Sequence, residues 1–173
     1  MSGAICWMLQ GWTPARWALL GGLLSLVRLA TCSYWMNSYW GGAVAAVGGC
    51  LVMGAYPRIA RQGRVGYAGA MGVGLVILDN TRPLEGAISS LPIAVAMLRW
   101  PWQKPRARLA GAGMPLAFCL AVGAALTRYY NYRVTGHALR RPYMEYAGQY
   151  QPVTPLLLRN IDNRQIAYAN SDM

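Results

Sequence analysis

Of the 173 residues 55% are apolar and only 12% carry a charge, where a typical soluble domain carries about 25%. The net charge is +11, but the Arg and Lys residues sit in short clusters between long uncharged stretches. That placement excludes the continuous basic face of a nucleic-acid binder. Cys6, Cys32, Cys50 and Cys119 form no CxxC pair, so the sequence supports neither a disulfide framework nor a metal centre.

The first charge is Arg16, so no basic flank precedes the first apolar run as it would in a signal peptide. A first span is expected from about Trp12 to Ala30, with Arg28 near its far end, where a cation must snorkel or pair. Thr31 to Ser38 reads as an interfacial turn. The uncharged run Tyr39 to Tyr56 gives a second span of roughly 27 Å, close to the hydrocarbon thickness of a bilayer. Val65 to Leu78 and Leu84 to Leu98 predict two shorter spans, and Leu109 to Thr127 a fifth of roughly 29 Å. Beyond Arg128 the chain turns polar and contains Pro142, Pro152 and Pro155.

The expected fold class is therefore all-α: an integral membrane bundle of about five transmembrane helices in residues 1–130, with a short polar tail in 131–173. A soluble protein with an apolar core is the alternative. Five such runs in a chain this small would leave it no polar outer surface. Seven Trp and eleven Tyr against one Phe also suit a chain that places amphipathic rings at membrane interfaces. Small residues at four-residue spacing, Gly41, Ala45 and Gly49 in the second span and Gly66, Ala70 and Gly74 in the third, predict close helix packing in lipid.

Loop charges set the expected orientation. Arg58, Arg61 and Arg64 follow the second span, and Arg99, Lys104, Arg106 and Arg108 follow the fourth. The positive-inside rule puts these loops and the N-terminus in the cytoplasm of a bacterial cell, across the inner membrane from an extracytoplasmic tail. Arg133, Arg140 and Arg141 in that tail pull the other way.

The segment Leu78-Asp79-Asn80-Thr81-Arg82-Pro83-Leu84-Glu85-Gly86 is the most informative for chemistry, with two of the five acidic residues around one Arg. Pro83 suits a first helical turn, where Glu85 meets the positive end of the helix dipole. Asp79, Arg82 and Glu85 could simply cap and pair a helical hairpin. Alternatively Asp79 or Glu85 takes a metal, a sugar hydroxyl or a proton, and the planar fork of Arg82 takes a phosphate. Two further clusters fall on the same expected side, Ser33 to Trp40 and Arg128 to Arg133. Either could be an interfacial aromatic belt or a platform for a sugar ring or lipid head group. His137, the only histidine, lacks a neighbouring base or co-ligand and reads as a solvated loop residue.

Ser33-Tyr-Trp-Met-Asn-Ser-Tyr-Trp-Gly-Gly-Ala, Gly54-Ala-Tyr-Pro-Arg, Asp79-Asn-Thr-Arg-Pro-Leu-Glu-Gly and Tyr129-Tyr-Asn-Tyr-Arg-Val-Thr-Gly together resemble segments of large bacterial multi-pass membrane proteins. Those proteins look like distant members of the C-type glycosyltransferase superfamily, which includes the protein mannosyltransferases. The resemblance runs from about Trp17 to Leu158 and implies a module handling a polyprenyl-phosphate-linked sugar at the outer membrane face. It implies Asp79 and Glu85 as catalytic carboxylates. Arg82, Asn80, Trp35, Asn37, Tyr130 and Arg133 would be the substrate-binding groups. No acidic residue precedes Asp79, so the superfamily's usual carboxylate in the first outer loop has no counterpart, and the chain resembles a C-terminal-side fragment or split half. The rival expectation is a non-catalytic subunit packed against other membrane proteins through its Gly and Ala faces. The sequence assigns no cofactor; the lipid bilayer is the one partner common to both expectations.

Overall fold

A computed structural model describes residues 1–32, 42–99, 106–142 and 144. The chain divides into two units, Met1–Ala124 and Ala125–Met173. Among the described residues the regular structure is entirely helical: α1 (Ser2–Leu9), α2 (Ala15–Cys32), α3 (Gly42–Gln62), α4 (Val65–Thr81), α5 (Pro83–Arg99) and α6 (Arg106–Thr135).

The expected spans correspond to α2 through α6, with shifts at the ends. α3 continues past Tyr56, through Pro57, to Gln62. Arg58 and Arg61 are therefore helical rather than loop residues. α6 continues past residue 130 to Thr135, so helix persists into the stretch expected to be tail. α1 is not among the expected elements, because its eight residues are too few to suggest a span.

Among the described residues two helices, Gly42–Gln62 and Gly111–Thr135, are long and apolar enough to cross a membrane. α4 and α5 have 17 residues each, or about 25 Å, somewhat less than the hydrocarbon core. The helical class is thus as expected, while the count of five spans goes beyond what the helices themselves establish.

In the first unit, glycines decide where helices touch. Gly48 and Gly74 bring α3 and α4 into backbone contact; a Cβ on Gly74 would lie 2.7 Å from the Gly48 carbonyl oxygen. The connector between these helices is only Gly63 and Arg64. Gly63 takes φ 64°, the left-handed conformation that ends helices and favours glycine, and its N–H bonds to the Ile59 carbonyl at 2.9 Å. Gly86 of α5 lies against Leu78 of α4, Gly72 of α4 against Cys119 of α6, and Gly123 of α6 against Val76 of α4. These pairings make α5 antiparallel and α6 parallel to α4.

The core is small and aliphatic, centred on Val52, Ala55, Ile59, Ala68 and Met71. The large aliphatic side chains of α2 face outward, including Leu19, Leu23, Leu24 and Val27, as do Ile88, Leu91 and Leu98 of α5. In the second unit, α6 ends on Gly136 with φ 75°. The Thr135 hydroxyl lies 2.8 Å from the Asn131 carbonyl and accepts the His137 N–H at 3.3 Å. That local network closes the helix terminus.

Candidate functional site

The α4–α5 corner holds four of the expected site residues. Asn80, Arg82 and Glu85 are engaged within the corner itself. Asn80, near the end of α4, donates from Nδ2 to the Val76 carbonyl at 2.9 Å, and the neighbouring Thr81 hydroxyl donates to Ile77 at 2.7 Å. Arg82 closes α4 through its N–H to the Leu78 carbonyl, and its own carbonyl accepts the Gly86 N–H at 2.7 Å. One residue therefore ends one helix and starts the next.

The Arg82 side chain turns onto the first turn of α5, where Nη1 lies 2.7 Å from both carboxylate oxygens of Glu85. The two form an ion pair, and the Glu85 side chain is 67% exposed. Asp79 and Glu85 are both exposed. The corner presents carboxylates outward while the guanidinium fork faces its own helix.

Trp35 and Asn37 lie outside the described residues. Tyr130 and Arg133 are exposed on α6 in the second unit. Between them in that unit Asn131 is buried, with Nδ2 3.4 Å from the Ala138 carbonyl. His137 is exposed. Among the described residues, no group of three His, Cys, Asp or Glu could hold a metal ion.

The densest polar contact lies elsewhere, where α1 meets α3. Pro57 stands inside α3. Having no N–H, it leaves the Met53 carbonyl without its helical donor. The Trp12 indole N–H supplies one at 3.0 Å, and the Trp12 ring stacks on Tyr56 with centroids 6.1 Å apart.

One residue on, Arg58 donates from Nη1 to the Gly54 carbonyl and from Nη2 to the Trp7 carbonyl, each at 2.7 Å. Its guanidinium carbon sits 4.1 Å from the Trp7 ring centroid, a close cation–π geometry. The Trp7 carbonyl belongs to the last turn of α1, where intrahelical donors run out and a cation is favoured. Gly54 lets the Trp7 ring reach the α3 backbone, since a Cβ there would lie 2.5 Å from it. Reading Arg58 as a loop charge missed this junction. The available signal was Pro57 within an apolar run, which demands an outside donor one turn earlier.

A second feature is a half-open cavity of about 360 Å³ lined from α3, α4, α5 and α6 by residues such as Val52, Met71, Ile93, Met97 and Leu116. Its wall is almost wholly apolar. Ser90 also lines it, and the buried Ser90 hydroxyl has no hydrogen-bond partner among the described residues.

Compared with known proteins, the chain matches no family model, no curated protein and no solved structure.

Proposed function

We propose that the chain is a multi-pass membrane protein, with α2 to α6 in the bilayer, that serves as a non-catalytic subunit packing against other membrane helices. The observation that carries this reading is the outward face of its helices. Leu24 of α2, Ile88 of α5 and Phe118 of α6 are each more than 60% exposed, and a surface of that kind needs lipid or protein around it. Part of the small-residue pattern also stays open. Gly49, Gly66 and Gly69 would meet nothing within 4 Å on gaining a Cβ, which leaves backbone accessible to a neighbouring helix.

The Arg82–Glu85 pair supports a structural role for the corner, because the fork that would hold a phosphate is engaged by a carboxylate one turn away. Membrane placement is tested by washing membranes with alkaline carbonate: the chain stays in the pellet, and release into the wash would overturn it. The subunit role is tested by native electrophoresis of a mild-detergent extract. A complex larger than the chain is expected, weakened in Gly66→Leu/Gly69→Leu. A monodisperse single chain would count against the role.

A second reading follows from the exposed carboxylates of Asp79 and Glu85. They sit at the end of α4 and α5 opposite the arginine-bearing ends, which suits a glycosyltransferase-like module meeting a polyprenyl-phosphate-linked sugar at the outer face. Asp79→Asn and Arg82→Gln should then abolish sugar transfer from such a carrier while leaving the helices folded. Unchanged transfer by both variants would dismiss it.

A further inference from the structure

The helix directions gather positive charge at one end of the first unit. α3 ends, α4 begins, α5 ends and α6 begins there. Arg61 and Arg64 flank the α3–α4 connector, Arg99 closes α5, and Arg106 and Arg108 occupy the first turn of α6. Arg61, Arg64 and Arg99 are exposed. Among the described residues the only carboxylates, Asp79 and Glu85, lie at the other end, so nothing described there neutralises the arginines.

The cavity between α4, α5 and α6 runs toward this same end. Its wall on α5 extends from Ser90 through Ile93 and Met97 to Leu98, the residue before Arg99. On α6 the wall starts at Ala112, one turn after Arg108. The lining is almost wholly apolar, so in a bilayer the space is filled by hydrocarbon rather than water. An apolar slot leading to arginines with no described carboxylate beside them has the two halves of an anionic lipid in the right order, because basic sites between membrane helices favour anionic head groups.

We propose that this cavity holds an acyl chain of an anionic phospholipid whose phosphate lies on Arg61, Arg64 and Arg99. The proposal rests on the membrane placement above and on neither functional reading.

The test uses the full chain reconstituted in vesicles of equimolar dioleoyl-phosphatidylglycerol and dioleoyl-phosphatidylcholine, extracted in a neutral detergent, with retained lipid measured by mass spectrometry. The expected result is enrichment of phosphatidylglycerol, by about fivefold for each arginine engaged. R61Q/R64Q/R99Q, all surface changes, should bring the ratio close to one. A94F narrows a residue of the cavity wall and should lower the total lipid retained. Glycerol 3-phosphate, a head group without chains, should displace nothing.

Equal retention of the two lipids by the unaltered chain overturns the proposal, as does an unchanged preference in the triple variant. Displacement by glycerol 3-phosphate overturns its acyl-chain half. Release of the chain by the carbonate wash would instead remove the membrane placement itself, which separates the two failures.

Discussion

Two arginines of this chain meet opposite fates. Arg82 pairs with Glu85, three residues away, a contact made entirely within the α4–α5 corner. Arg58 spans 51 residues to reach the Trp7 carbonyl, and Trp12 spans 41 to reach Met53. The corner looks richer in the sequence because its polar residues are adjacent. The α1–α3 junction carries more structural consequence because its polar groups, brought together only by folding, satisfy backbone carbonyls that apolar surroundings leave expensive. Density of charge along a sequence thus measures local capping as readily as it marks a ligand site.

Substitutions can break this contrast, and thermal unfolding in detergent micelles followed by circular dichroism reads each of them. The largest effect is expected from Gly54→Leu. A Cβ at that position would lie 2.9 Å from the Met8 Cα, so α1 must move away, at a cost of about 3 kcal/mol for overpacking. Arg58→Leu keeps apolar bulk but gives up two charged hydrogen bonds and the Trp7 contact, for a loss of about 2 kcal/mol. An unfolding midpoint unchanged by Arg58→Leu would show that α1 docks by apolar contact alone.

Trp12→Phe preserves most of the stacking on Tyr56 but leaves the Met53 carbonyl unpaired, and costs about 1 kcal/mol at this half-exposed position. Glu85→Gln should be the mildest, at roughly 0.5 kcal/mol or less, as expected for exposed ion pairs. A loss from Glu85→Gln as large as that from Arg58→Leu would erase the distinction between the two regions.

The helical elements were legible because runs free of charge and bounded by arginines have few other ways to satisfy their backbone. The corner was legible for a similar reason: Pro83 and Glu85 follow helix-start chemistry that depends only on neighbours. The structural alternative offered for Asp79, Arg82 and Glu85 matches the observed Arg82–Glu85 pair. Arg58 was misplaced because proline is ordinarily read as a helix end, and α3 carries Pro57 with an external donor one turn upstream. The small-residue pattern gave the right kind of contact at a shifted register, since Gly48 rather than Gly49 meets Gly74. A four-residue spacing cannot choose between adjacent glycines, and only the opposing helix does. Nothing in the sequence suggested the cavity, which exists because α3, α4, α5 and α6 leave it between them.

The two-residue connector Gly63–Arg64 limits how α3 and α4 can move. Two residues extend no more than about 7 Å, so α4 must turn back beside α3 as soon as it forms, with Gly48 and Gly74 setting how closely the two lie. A hinge between these helices has no slack in which to open.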